Sequence, residues 1–170
     1  MKWLLILAGI IGCFILIVMI LGCFLPVRHT ATVKVSVSST PDKVWQRLAD
    51  FRSYPVWRSD VKAIEVLSDS EWIEVNERNH KLPLKLIVKE PISRLIMKIN
   101  GNGLPFGGDF ECVLHPEGGR TIVTITENGA IYNPAFRFVS RFIIGYSATA
   151  KKYGDNLQRS FIAHPGNLIK

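Results

Sequence analysis

Cysteine is scarce in this chain of 170 residues, and patterns that would bind a metal are missing. Two of the three cysteines, Cys13 and Cys23, lie in an apolar N-terminal run, so Cys112 has no disulfide partner in the rest of the chain. No Cys/His group has the spacing of a zinc site, and no Asn-x-Ser/Thr sequon occurs. The sequence therefore predicts no metal site and is compatible with a reducing compartment.

Signatures of common enzymes are missing as well. The chain has no Gly-x-Ser-x-Gly nucleophile motif. The four glycines between residues 101 and 108 precede no helix and lack the spacing of a dinucleotide fingerprint, so they predict a flexible hairpin loop or a plain turn. We therefore expect no cofactor.

Acid–base groups are present, but none has an evident partner. The histidines are His29, His80, His115 and His164. Each is expected at the surface, beside the apolar run, near a turn or in the tail. Asp109, Glu111 and Glu127 could approach one another across two strands, but a slip of one residue in register would put them on opposite faces. The residues alone therefore predict no catalytic group.

One feature is present in excess: residues 3–25, WLLILAGIIGCFILIVMILGCFL, carry no charge. At about 1.5 Å per residue, a helix of this length extends about 34 Å, enough to cross a bilayer core of about 30 Å. A core helix of a soluble protein would keep a polar stripe. We therefore predict a transmembrane anchor over residues 1–25, and hence a single-pass membrane protein.

Two other interpretations of this run stay open. A cleaved signal peptide would have a shorter apolar core and a small-x-small cleavage site, whereas Phe24-Leu25-Pro26 is a poor one. A lipoprotein would carry its lipid on Cys23, but the preceding Ile20 stands where such signals usually have Leu.

Charge is modestly positive outside the run. The chain has a net charge of +7, and Lys2 is the one charged residue before residue 26. Such a domain suits anionic lipid headgroups, or is simply a soluble surface rich in Lys. Basic residues are not interleaved with aromatic ones as in nucleic-acid sites, so no nucleic-acid partner is expected. Arg28 and Lys34 slightly favour a cytoplasmic domain by the positive-inside rule.

The remainder of the chain predicts one α+β domain over residues 31–162, after a linker at 26–30 and before a tail at 163–170. Alternating or β-branched apolar residues predict seven strands, at 32–38, 62–68, 72–78, 82–90, 94–100, 108–115 and 120–127. A helix is predicted over 41–50. A continuous apolar stripe predicts one long helix over 134–162, which would cover an antiparallel sheet.

Several segments resemble a known superfamily. TPDKVW at 40–45, YPVW at 54–57 and DVKAIEV at 60–66 are similar to the opening of START-like, or SRPBCC, domains. GRT at 119–121, leading into TITE at 124–127, is similar to their last strand, most closely in the polyketide cyclase and dehydrase-like branch. The resemblance implies a helix-grip fold, in which a curved seven-stranded antiparallel sheet surrounds a long C-terminal helix. It also implies a cavity for hydrophobic molecules.

Candidate site residues follow from this expectation. A curved sheet around one helix leaves a space that aromatic side chains line or fill. The predicted cavity residues are Trp57, Trp72, Phe110, Phe138, Phe142, Tyr146 and Glu127. Leu104, Pro105 and Phe106 form a candidate gating loop over the cavity.

Three functions are consistent with the sequence. The one we favour is a membrane-anchored, non-catalytic binding module for a hydrophobic small molecule or lipid. The alternatives are a cyclase- or dehydratase-type enzyme that uses a cavity carboxylate, and a membrane-tethered protein-interaction domain, which would expose an apolar patch and have no cavity.

Overall fold

A computed structural model describes residues 1–162, and the predicted tail at 163–170, with His164, lies outside these residues. The seven predicted strands are confirmed. They are β1 (Arg28–Val37), β2 (Ala63–Val66), β3 (Glu71–Val75), β4 (Lys81–Glu90), β5 (Arg94–Ile99), β6 (Phe106–Glu117) and β7 (Arg120–Ile131). Their order in the sheet is β1-β7-β6-β5-β4-β3-β2, with every pair antiparallel.

The helices are α1 (Lys2–Phe24), α2 (Pro41–Ala49), α3 (Tyr54–Trp57), α4 (Pro134–Val139) and α5 (Ala148–Arg159). A 3₁₀ turn, Phe51–Ser53, precedes α3, and a π-helical turn, Ser140–Ile144, follows α4. The fold class predicted from the sequence is confirmed: an apolar N-terminal helix precedes an antiparallel sheet covered by helices.

Helix α1 is long and apolar enough to cross a membrane, and a signal sequence has the same properties. Strand β1 begins at Arg28, so the link after α1 is shorter than the predicted residues 26–30. The backbone carbonyl of Val27 already accepts a hydrogen bond from the amide of Ile131, at the end of β7. The domain therefore begins almost at the end of α1.

The core lies between one face of the sheet and helices α2, α3 and α5. Alternation along β1 turns Val33, Val35 and Val37 to this inner face, as predicted. Leu48 of α2 and Leu157 of α5 are fully buried against the sheet. Aromatic rings fill much of the remaining space, and Phe51 stacks on Trp72 with ring centroids 4.3 Å apart.

The prediction of one continuous helix over 134–162 is wrong. Gly145 has φ +86°, a conformation that side-chain-bearing residues rarely adopt, and it separates the π-helical turn from α5. Only the second half of the predicted apolar stripe covers the sheet, through Ala150, Tyr153 and Leu157. In the first half, Ala135, Phe138 and Val139 are half-buried, and Phe142 and Ile143 are exposed.

Gly154 lies where α5 approaches the sheet closely, and a substitution at this position tests that contact. A Cβ at this position would lie 2.6 Å from Cγ1 of Val35. Alanine favours a helix by about 1 kcal/mol over glycine, but Val35 is a stiff β-branched side chain that must move. We expect Gly154→Ala to lower the free energy of unfolding by about 1 to 2 kcal/mol, measured by denaturation of the full chain in detergent micelles.

The matched control is Lys151→Ala, an exposed position in the same helix, for which we expect a change within about 0.5 kcal/mol. Combining Gly154→Ala with Val35→Ala is expected to recover part of the loss. A Gly154→Ala variant more stable than the native chain would contradict the close approach.

A candidate ligand-binding cavity

A cavity of about 110 Å³ lies between the inner face of the sheet and α5. Strands β4 and β5 contribute aliphatic side chains, β6 and β7 contribute Phe110 and Glu127, and α5 contributes Tyr153. The bordering residues are Arg58, Glu74, Leu82, Leu84, Met97, Ile99, Gly107, Gly108, Asp109, Phe110, Glu127, Asn128, Gly129, Thr149 and Tyr153. The wall is mainly apolar.

A pair of glycines lies at the border of this cavity. Gly108 of β6 is the register partner of Gly129 of β7. Gly108 has φ +132°, and a Cβ there would lie 2.1 Å from the carbonyl oxygen of Asn128. A Cβ on Gly129 would lie 2.3 Å from the ring of His29, its register partner on β1. Neither position accepts a side chain. The ring of His29 lies over Gly129.

Glu127 is the polar group of the inner face at this end of the cavity. Its register partners are Phe110 and Ala31, neither of which offers a side-chain hydrogen bond. Burial raises the pKa of Glu127 to about 7. Among the described residues, its Oε2 atom has no hydrogen-bond partner. Near neutral pH the carboxyl group therefore exists in both forms, and the neutral form can donate a hydrogen bond into the cavity.

His29 is the nearest ionisable neighbour of Glu127, with Nε2 3.9 Å from Oε1. The imidazole side chain is 8% exposed, and burial lowers its pKa. Its ring stacks on Tyr146 with centroids 4.1 Å apart. A neutral imidazole leaves Glu127 without a full positive charge beside it, consistent with the raised pKa of the carboxyl.

A buried ion pair forms another part of the wall. Arg58, just after α3, donates from Nη1 to Glu74 at 2.7 Å and from Nη2 to Asp60 at 2.6 Å. Burial alone would lower the pKa of Arg58, but the charges of Glu74 and Asp60 outweigh that effect and raise it. The guanidinium also lies 5.0 Å from the ring centroid of Tyr153. Its charge is thus compensated within the protein.

The structure separates the aromatic residues that the sequence placed in a cavity. Phe110 borders it, as does Glu127. Trp57 and Trp72 are buried in the core and do not border it. Phe138 and Phe142 contact each other with ring centroids 4.9 Å apart and do not border the cavity. Tyr146 does not border it either and stacks on His29.

The candidate gating loop lies at the same end of the domain. Leu104 folds over Gly101, and the carbonyl of Pro105 accepts a hydrogen bond from the amide of Tyr132 at 2.9 Å. Phe106 begins β6 directly before Gly107, which borders the cavity. The loop is adjacent to the cavity, and a gating role stays a prediction.

The strand register shows on which face of the sheet the carboxylates of Asp109, Glu111 and Glu127 lie. Asp109 pairs with Asn128, one residue out of phase with Glu127, and accepts a hydrogen bond from the Asn128 side chain at 2.9 Å. Glu111 pairs with Arg94. Asp109 and Glu111 therefore lie on the opposite face of the sheet from Glu127, which is the second of the two arrangements that the sequence left open.

His29 is the site residue that the sequence reasoning missed. It was expected at the surface because it follows the apolar run closely. The signal was available, since His29, Ala31 and Val33 continue the alternation of β1 toward the N-terminus. No pattern pointed to Arg58, which lies outside any strand or helix. Within residues 1–162 no group of three His, Cys, Asp or Glu side chains could hold a metal ion.

Comparison with known proteins agrees with this geometry. The fold is shared with solved structures: a START superfamily protein from Mycobacterium smegmatis has a TM-score of 0.64 at 13% identity, over 78% of this chain and 97% of that one. Norcoclaurine synthase from Thalictrum flavum has a TM-score of 0.63 at 12% identity, over 81% and 88%. A conserved protein from Geobacillus kaustophilus has a TM-score of 0.65 at 14% identity, over 78% and 95%.

The family model described as "Polyketide cyclase / dehydrase and lipid transport" matches residues 28–159. The chain therefore belongs to this family, and the resemblance noted in the sequence is confirmed. A search of curated proteins finds no match to the sequence. Family and fold are those of a START-like ligand-binding domain.

The raised pKa of Glu127 gives a first test of the site. An unfolded chain binds this proton with an ordinary pKa of 4.5, and the folded chain binds it with a pKa of about 7. Below pH 4.5 the carboxyl group is protonated in both states, so Glu127 costs no stability. As the pH rises from 4.5 through 7, ionisation of the buried carboxyl group lowers the free energy of unfolding. We expect the free energy of unfolding of Glu127→Gln, relative to that of the native chain, to increase by about 2 to 3 kcal/mol when the pH is raised from 5 to 8.

The measurement is denaturation of both full chains in micelles at each pH, with ¹³C-carboxyl NMR to observe the titration directly. Glu117→Gln, an exposed position of the neighbouring strand β6 that does not border the cavity, is the matched control. An identical pH dependence of stability in Glu127→Gln and the native chain would contradict the assigned burial of this carboxyl.

Proposed function

We propose that the protein is a membrane-anchored, non-catalytic binding module for a hydrophobic small molecule or lipid. The observation that carries this proposal is the apolar cavity of a START-like domain, with one uncompensated carboxyl group facing it. An apolar wall with a few placed polar groups is the usual composition of a small-molecule site.

The volume of the cavity limits the size of the ligand. Drug-sized sites span about 300 to 1,000 Å³, and an apolar cavity of about 150 Å³ accepts benzene. The 110 Å³ found here is smaller than either, so without rearrangement it suits only a short acyl segment or a similarly small apolar group. A longer ligand would have to displace neighbouring side chains or extend past Leu104–Phe106. Either arrangement places the apolar part of the ligand against Phe110 and its polar group near Glu127.

The contacts of α1 support a retained anchor over a cleaved signal. Gly22 touches the backbone of Pro134, and Arg137 donates to the carbonyl of Leu25 at 2.8 Å. Cleavage near residue 25, or lipidation at Cys23, would remove packing partners of the domain. We therefore propose a single-pass membrane protein, with the domain on the cytoplasmic side because Arg28 and Lys34 follow α1.

Ligand binding is tested by filling the cavity. Leu82 of β4 borders the cavity, whereas Ile87 of the same strand is exposed on the sheet. We expect the native full chain, purified in detergent, to release a defined hydrophobic compound on solvent extraction, detected by mass spectrometry. Leu82→Trp should lose most of that compound, and Ile87→Trp should keep it.

Equal amounts of compound from all three proteins would indicate adsorption to α1 or to the micelle and would contradict the cavity as the site. Circular dichroism of each variant checks that loss of ligand is not loss of fold.

A cyclase- or dehydratase-type enzyme is the second candidate, and the raised pKa of Glu127 favours it. A carboxyl group with a pKa near 7 can both give and take a proton near neutral pH. The two functions differ in what Glu127→Gln retains. A binding module holds the same compound as the native chain, in similar or reduced amount. An enzyme that loses its acid or base accumulates a different compound, its unconverted substrate, which mass spectrometry distinguishes.

A further inference from the structure

The π-helical turn and α4 present a cluster of exposed apolar side chains. Phe142, Ile143 and Ile144 are 62%, 72% and 58% exposed, and Phe136 of α4 is 52% exposed. These four residues are hereafter the apolar corner. They project where Gly145 reverses the chain into α5. Contiguous apolar surface of this kind on a soluble domain indicates a partner.

The apolar corner is attached to the end of α1. Helix α4 packs against α1, and a Cβ on Gly22 would lie 2.0 Å from the carbonyl oxygen of Pro134. Gly22 precedes Leu25, the end of the apolar run, by three residues, or about 4.5 Å along a helix. If α1 crosses a bilayer, the start of α4 lies at the depth of its last turn.

The charges around the apolar corner suit a lipid surface. No Asp or Glu occurs between Glu127 and Asp155, whereas this stretch contains the cations Arg137, Arg141, Lys151 and Lys152. Arg141 lies within the exposed turn, with its guanidinium 5.9 Å from the ring centroid of Tyr146. Cationic and apolar side chains side by side are typical of segments that lie in a membrane interface.

We infer that the apolar corner inserts into the bilayer that α1 spans, with Arg141 facing anionic headgroups. The inference rests on the proposed membrane anchor and adds a second membrane contact to it. Tyr146, just after the corner, stacks on His29, which covers Gly129 at the cavity border. Insertion therefore brings that border to the lipid surface, where an apolar ligand can move without crossing much water.

Spin labelling of the full chain in vesicles tests the insertion. Cys13 and Cys23 are replaced by Ala, and Cys112 is kept because it is fully buried. Single labels are placed through Ile143→Cys in the apolar corner and Ile87→Cys, an equally aliphatic exposed site on β4. A third label, through Leu16→Cys, reports on α1 itself. The vesicles contain phosphatidylcholine with one quarter phosphatidylglycerol.

Power saturation compares collisions with oxygen, which concentrates in lipid, and with a water-soluble nickel chelate. We expect the oxygen-to-nickel ratio at position 143 to be several-fold higher than at position 87. A label at 143 as accessible to nickel as the label at 87 would overturn the inference. A label at 143 shielded from both reagents would overturn it in favour of a protein partner.

The label at position 16 separates this inference from the proposed function. Lipid exposure at 16 together with water exposure at 143 means that the anchor holds and the corner does not insert. Water exposure at both positions means that the anchor itself fails. Ligand retention in the cavity variants is measured independently of either label.

Discussion

The arrangement of this protein depends on one junction, where the domain itself binds the end of α1. Arg137 is buried and donates to the carbonyl of Leu25, and two residues later Val27 is hydrogen-bonded to β7. The last carbonyl groups of a helix lack hydrogen-bond donors and carry partial negative charge. A guanidinium group at this position donates the missing hydrogen bond and compensates the charge. Because almost no free chain separates α1 from β1, this junction sets the positions of α4, His29 and the cavity relative to the apolar helix.

A second constraint acts on the sheet, at the paired glycines of β6 and β7. Elsewhere on the inner face, opposed residues such as Cys112 and Ile125 fill the core. At Gly108 and Gly129 close contacts with the Asn128 backbone and the His29 ring exclude a side chain, and the border of the cavity lies here. His29 occupies the space above Gly129 and leaves Glu127 two residues away with a neutral neighbour.

These constraints explain what the sequence could predict. Apolar alternation with a period of two identifies strands, so all seven strands were found. The same alternation fixes the inner face only once the register is known, so Asp109 and Glu127 could not be separated beforehand. The interruption at Gly145 was missed because Phe142 and Ile143 continue the helical apolar spacing although they face outward. Cavity volume depends on the fit of side chains such as Trp57 and Trp72, which a pattern does not encode.

The chemistry of the cavity restricts the ligand further. A carboxyl group in an apolar wall is favoured in its neutral form, and it then offers one hydrogen-bond donor and no charge. A ligand with a carbonyl or hydroxyl oxygen and an apolar body would satisfy Glu127, whereas an anionic ligand would repel its ionised form. Arg58 cannot compensate such an anion because Glu74 and Asp60 already hold its guanidinium. A ligand held at this site would therefore be neutral, in keeping with the proposed binding of a hydrophobic small molecule.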